Sequence, residues 1–317
     1  MKLTVGLKGN VASAKRVILE PKEALYEVFI GAPPEISGTG RTGILPTTID
    51  VLNKVNDVAT SRGTKLNILI NSVTLKPNLH LDDFVNKMES IGVDSFTVAN
   101  DSILNYLVER RKSSNASYGI TLSTFMYITT LDRVMVYSDV LDDRDRIIIN
   151  QNENRNFPLL KVAVKESKVP IELFANTLCL QNCADNMYNH AEFMASYSNK
   201  GLVNDPFLDN CVAKRINDPM LILTSPIIRP EDIHIYEDIG IQFFKLGTRS
   251  FATEQTLKAI SAYQNRKWDG DIAELNGTVN VDVNKHHPVL NRMLDGMIDE
   301  LLLGGKNVLN RINVTFK

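Results

Sequence analysis

Nine short apolar runs, rich in strand-forming residues, alternate with helical patterns along most of this chain, and that alternation is the signature of a parallel sheet built from βα units. The runs are Leu3–Lys8, Leu25–Ile30, Leu66–Asn71, Ser95–Ala99, Gly119–Thr124, Arg146–Asn150, Ile171–Ala175, Met220–Thr224 and Ile241–Leu246. A closed barrel takes eight, so one run is surplus. Met220–Thr224 is the one to set aside, because only the short helical stretch Pro230–Ile239 separates it from the last run, which is tight for a parallel crossover. At 317 residues the chain suits one barrel of about 250 residues with extensions. The expected class is therefore α/β: a TIM-like (β/α)8 barrel over residues 1–271, with residues 272–317 as a C-terminal, largely helical extension packed on it as a cap.

The helical segments follow from apolar spacing and stop signals. Pro46–Arg62 carries Ile49, Leu52, Val55 and Val58 on one face and ends at Gly63. Further helices are expected over Asp82–Ile91, Ser102–Arg111, Pro158–Glu166, Thr253–Tyr263 and Val289–Leu303. Ile91-Gly-Val-Asp-Ser-Phe96 and Ile239-Gly-Ile-Gln-Phe-Phe244 share one grammar of helix, glycine stop and strand.

Composition narrows the function classes. Hydrophobic residues make up 44% and charged residues 23%, which excludes disordered and fibrous chains. No run of eighteen apolar residues occurs and Met1-Lys-Leu-Thr-Val-Gly6 lacks a signal-peptide core, so a cytoplasmic protein with no membrane association is expected. A net charge of −2 gives no general attraction to phosphate backbones, and nucleic acid is not indicated as a partner. The basic cluster Arg110-Arg-Lys112 falls at the end of an expected helix, where cations suit the macrodipole.

In parallel barrels the working residues sit at the carboxyl ends of the strands. Those ends supply Asn71, Asn100 and Asp101, Ser123 and Thr124, Asn150 to Asn152 with Arg155, Asn176, and Lys245 with Arg249. Such a mouth suits a small polar or anionic substrate, with Asn71, Ser123, Asn152, Arg155 and Asn176 as its binding groups, although asparagines also cap helices and turns. Lys245 and Arg249 bracket the end of the last run and would take a carboxylate or phosphate; a salt bridge to Glu172 or Glu231 is the structural alternative.

All three cysteines lie in one segment, Cys179, Cys183 and Cys211. Three cannot complete a disulfide framework. The first two are spaced so that one helical turn would bring their sulfurs to one side, and three thiolates can hold a [4Fe–4S] cluster with one iron left open. His190, Asp185 or Asp209 could complete a metal site instead; zinc, or no metal with the cysteines as small buried hydrophobes, is the alternative. Gly38-Thr-Gly-Arg-Thr-Gly43 lacks the ending of a phosphate loop and reads as a loop after the second strand, while His286-His287-Pro288 reads as a turn leading into a helix.

At Ile120-Thr-Leu-Ser-Thr124, Ile171-Glu-Leu-Phe-Ala-Asn176 with the cysteines, Ile228-Arg-Pro-Glu-Asp-Ile233 and Gly240-Ile-Gln-Phe-Phe-Lys-Leu-Gly-Thr-Arg249, the chain resembles the collagenase-like peptidase family U-32. The resemblance implies a TIM-like barrel and, for family members studied as enzymes, iron–sulfur proteins that hydroxylate RNA bases or quinone precursors without oxygen. Two departures stand out: the family pattern supplies four cysteines where this chain has three, and Gly247-Thr248 replaces the family's more usual Glu-Gly. Three functions are carried forward. One is an iron–sulfur enzyme hydroxylating a small polar substrate held by Lys245 and Arg249. The second is a metal-dependent peptidase or hydrolase with Glu172 as carboxylate base. The third is a non-catalytic subunit working with a protein partner.

Overall fold

The structure is a computed structural model that describes residues 1–36, 47–73, 76–177, 179–183, 185, 206–218, 221, 225–276 and 290–302. His190, the Gly38–Gly43 loop, His286–Pro288 and most of the Met220–Thr224 run lie outside the described residues.

Eight parallel strands close into a barrel in sequence order. They are β1 (Lys2–Gly6), β2 (Glu27–Gly31), β3 (Lys65–Ile70), β4 (Ser95–Val98), β5 (Gly119–Leu122), β6 (Arg146–Ile148), β7 (Ile171–Phe174) and β8 (Phe243–Leu246). Strand β1 closes the ring on β8, and β7 pairs directly with β8 through Glu172 opposite Phe243 and Phe174 opposite Lys245. That pairing leaves no place between them for the Met220 run, so the surplus run is the one the crossover length singled out. No described helix is long and apolar enough to cross a membrane.

The helices are α1 (Val11–Leu19), α2 (Ile49–Ser61), α3 (Leu79–Ser90), α4 (Asp101–Ser114), α5 (Leu131–Val140), α6 (Phe157–Glu166), α7 (Pro206–Asn217), α8 (Ile233–Ile239), α9 (Thr253–Asn265) and α10 (Met297–Leu302). Six of them begin with a side-chain cap: Asn10, Thr48, Asn78, Asn100, Thr130 and Asn156 each accept from a backbone N–H in the first turn. Asn100, counted above among the amides of the mouth, is thus committed to α4. The shared glycine grammar holds, since Gly92 (φ 78°) and Gly240 (φ 107°) both turn the chain through the left-handed region on its way to β4 and β8.

The single helix expected over Val289–Leu303 is broken. A 3₁₀ turn at Asn291–Leu294 is followed by Gly296 at φ 74°, and α10 starts only at Met297. Leu275, Leu294, Met297 and Ile298 join the main core, and Arg229 ties the segment down by donating to Asn291 O and Asp295 Oδ1, at 3.0 and 2.8 Å.

The basic cluster at the end of α4 is absorbed by the fold. Arg111 makes a two-pronged pair with buried Asp145 at 2.6 and 2.8 Å, and Arg110 bonds to Asp82 and Glu89.

Candidate functional site at the barrel mouth

Strand alternation sends every second side chain into the lumen, and in most such barrels those are branched apolar residues. Here the lower and middle lumen is charged. Arg146 on β6 lies between Glu27 on β2 and Glu172 on β7, donating from Nη2 to Glu27 Oε1 and from Nε to Glu172 Oε2 at 3.1 Å. The remaining carboxylate oxygens are also engaged: Thr4 Oγ1 donates to Glu172 Oε1 at 2.5 Å and Ser95 Oγ to Glu27 Oε2 at 3.0 Å. Asn67 continues the network, giving to Ser95 Oγ and accepting from Thr97 Oγ1, each at 2.7 Å. The Arg146 guanidinium also stands over the rings of Tyr26 and Phe243, 5.4 and 5.1 Å from their centroids. Its proton is held more firmly than usual, because the two carboxylates outweigh the effect of burial.

This arrangement corrects the reading of Glu172 as a base at the mouth. Its side chain is fully enclosed, and both oxygens are occupied by Arg146 and Thr4. Its role is to hold a cation inside the barrel.

One layer nearer the mouth is Lys245, opposite Thr4 and Phe174 in register. Its ammonium lies 4.1 Å from the centroid of Phe29, and among the described residues Lys245 has no ion pair, so the proposed bridge to Glu172 or Glu231 does not form. Glu231 instead accepts from the backbone N–H of Trp268 at 2.6 Å. The side chain is only half-buried. Burial pushes the Lys245 amine down to about 8; Glu172 opposes that shift and Arg249 adds to it. Desolvation wins because Glu172 is already shared with Arg146.

Two glycines make room for this layer. A Cβ on Gly247 would sit 2.4 Å from Phe174 Cζ, and one on Gly6 would sit 2.9 Å from both Phe29 Cε2 and Arg249 Cγ. The rings of Phe29 and Phe174 and the stem of Arg249 therefore pack directly against bare backbone around Lys245. Gly247→Ala is expected to cost about 1–3 kcal/mol by forcing Phe174 aside; a lowered urea midpoint with an unchanged slope checks it.

The other expected binding groups separate. Asn71 and Asn152 are buried at the mouth, where Asn152 O accepts from Gln181 Nε2 at 2.9 Å. Ser123 caps a 3₁₀ turn by accepting from Phe125 N–H at 3.2 Å. Asn176 is a brace: its amide donates to Leu275 O and accepts from Gly247 N–H, both at 2.8 Å, locking the end of β7 to the end of β8 and to the C-terminal segment. Arg155 is partly buried near Tyr236, Asp232 and Arg229, and burial lowers its proton affinity. Asn150, fully buried at the end of β6, has an Nδ2 with no hydrogen-bond partner among the described residues, while its Oδ1 accepts from Asn152 N–H.

The cysteines lie on the same rim. Cys179 N–H bonds to Thr177 Oγ1 just after the Asn176 brace, and Gln181 reaches across to Asn152. Burial pushes the Cys211 thiol up; Arg215, whose Nη2 is 3.1 Å from Sγ, opposes this, and Cys179 and Cys183 add to it. The three sulfurs thus share one neighbourhood and fit a thiolate-bound metal in donor chemistry. Among the described residues, however, no three His, Cys, Asp or Glu side chains are grouped to hold a metal ion.

Glu27, Arg146, Phe29 and Phe174 were not singled out by the sequence. The available signal was a charged residue inside an apolar run, as Glu27 is in Leu25–Ile30 and Arg146 is in Arg146–Asn150. A cleft at the opposite, N-terminal end of the barrel, lined by Tyr26, Lys65, Asp94 and Arg144 among others, carries groups already bonded within the fold: Asp94 accepts from Leu66 N–H and Arg144 pairs with Asp142.

No family model matches the chain. An uncharacterized protease of Methanocaldococcus jannaschii is 26% identical over 300 residues, covering 92% of this chain and 86% of that protein. A solved U32 peptidase superposes with a TM-score of 0.52 at 13% identity, over 77% of this chain and 92% of its own, which supports the shared barrel fold. The chain therefore resembles an uncharacterized archaeal protease in sequence and a U32 peptidase in barrel architecture.

Proposed function

We propose that this U32-like barrel is an enzyme that takes a small anionic polar substrate into its C-terminal mouth, with Arg249 receiving the anionic group, Lys245 meeting the reacting centre, and Cys179, Cys183 and Cys211 holding an iron–sulfur cluster at the rim. The observation that carries it is Lys245: an amine facing the Phe29 ring, with its neighbouring carboxylates tied to Arg146. A residue of that kind at the carboxyl end of a barrel strand is placed for chemistry, where an isolated buried lysine contributes nothing to stability.

The chain's own groups supply binding and proton handling. Arg249 orients an anion, Lys245 Nζ holds or releases one proton near neutrality, and the Asn150 amide offers a buried donor. When bound, an iron–sulfur cluster would add electron transfer or a Lewis-acidic iron.

The names of the relatives favour a second reading, a peptidase. With Glu172 engaged by Arg146 and Thr4, Lys245 is then the remaining candidate for its base. Anaerobic purification with iron, sulfide and zinc analysis separates the two. Iron with matching sulfide, lost in each of Cys179→Ala, Cys183→Ala and Cys211→Ala, is the expected result. Zinc alone, or no metal, would remove the cluster and leave hydrolysis or a binding role.

A further inference from the structure

We propose that Lys245 is a nucleophilic amine that forms an imine with a small carbonyl compound bearing a carboxylate, an oxo acid whose acid group is received by Arg249. This rests on the reading of the mouth as the active site and names its substrate class. Four features of the lumen converge on it. Lys245 Nζ faces an aromatic ring at 4.1 Å and no ion-paired carboxylate, so it is not committed to a structural bridge among the described residues. The nearest acids, Glu172 and Glu27, are held one layer down by Arg146. Arg249 is close enough to disfavour a second positive charge. Gly6 and Gly247 let the rings of Phe29 and Phe174 and the stem of Arg249 pack against bare strand ends beside the Lys245 position.

A lysine desolvated in an apolar pocket beside another cation is the setting in which an amine is free to attack at neutral pH. With its proton affinity lowered to about 8, Lys245 carries roughly two to three hundredfold more free amine near neutrality than an ordinary lysine. Arginine adds the discrimination, since its planar fork matches a carboxylate and would set the adjacent carbonyl carbon toward Nζ.

The step balances without any further reagent. The Nζ lone pair adds to the carbonyl carbon while the C=O π pair moves to oxygen, and a proton passes from nitrogen to that oxygen, giving a carbinolamine. One further proton converts its hydroxyl to water, which leaves as the nitrogen pair forms C=N. The products are one protonated imine and one water from one amine, one carbonyl and one proton.

The test is reductive trapping on the full chain with glyoxylate or pyruvate and borohydride, read by intact mass and peptide mapping. One adduct at Lys245 is expected, forming at least about tenfold faster than at exposed Lys112. It should vanish in Lys245→Arg, persist in Lys112→Arg, and slow about tenfold in Arg249→Gln. Adducts spread evenly over surface lysines, or none at Lys245 with either compound, overturn the proposal. Oxalate titrated in parallel, followed by NMR of the lysine and arginine side chains, separates the causes. Oxalate binding without an adduct overturns the imine and leaves the anion site standing; neither binding nor adduct removes both.

Discussion

Arg146→Met is expected to destabilise the barrel by about 3–5 kcal/mol, because it leaves Glu27 and Glu172 buried without their ion-pair partner. Both carboxylates are almost wholly enclosed, and their remaining bonds, from Thr4 and Ser95, are hydroxyl donors that cannot neutralise two charges. The loss should be largely recovered in the triple variant Glu27→Gln, Arg146→Met, Glu172→Gln, since removing every member of a buried ionic cluster is far milder than breaking one arm of it. Urea unfolding of the single and triple variants checks this. A single variant as stable as the parent would mean that the two acids accommodate themselves without Arg146.

The second large effect is at Lys245. Lys245→Met should lower turnover at least about a hundredfold, the loss typical when a positioned acid, base or nucleophile is removed. In the parent, the rate should climb with pH through about 8 as the amine loses its proton. Stability should move the other way on mutation. A lysine whose folded-state proton affinity is depressed binds fewer protons folded than unfolded between about 8 and its ordinary value near 10.5, so stability rises with pH across that window and is lowest below it. Methionine removes that penalty, and Lys245→Met should unfold at a higher midpoint than the parent at neutral pH. A gain in stability with a loss of turnover is the signature of a functional group held against its folding preference. Equal losses in both would make Lys245 structural.

The eight strands were legible because strands of a parallel barrel are buried on both faces and read as continuous apolar runs. The crossover length before Ile241 settled which run to discard, and direct pairing of β7 with β8 agrees. Three helices, α1, α5 and α7, were not placed, and none of them ends in the glycine stop that marked α2 and α3. The break at Gly296 escaped because the apolar spacing of Val289–Leu303 continues across it.

At the candidate site, Lys245 and Arg249 could be placed at the carboxyl end of the last strand, where a barrel displays its chemistry. The ionic network beneath was not legible, since Glu27 and Arg146 lie 119 residues apart and only barrel closure brings them together. The asparagines misled for a physical reason. An amide both donates and accepts, so Asn100 as a helix cap and Asn176 as a brace look the same in sequence as an amide meant for a ligand.

A direct titration of Lys245 is the most decisive measurement. With ¹³C at the lysine ε position and Lys245→Arg for assignment, NMR should give an apparent pKa near 8 for this amine, apart from the other lysines, and a shift of that value when oxalate binds. A value near 10.5, indifferent to oxalate, would contradict an active site built on Lys245 and Arg249.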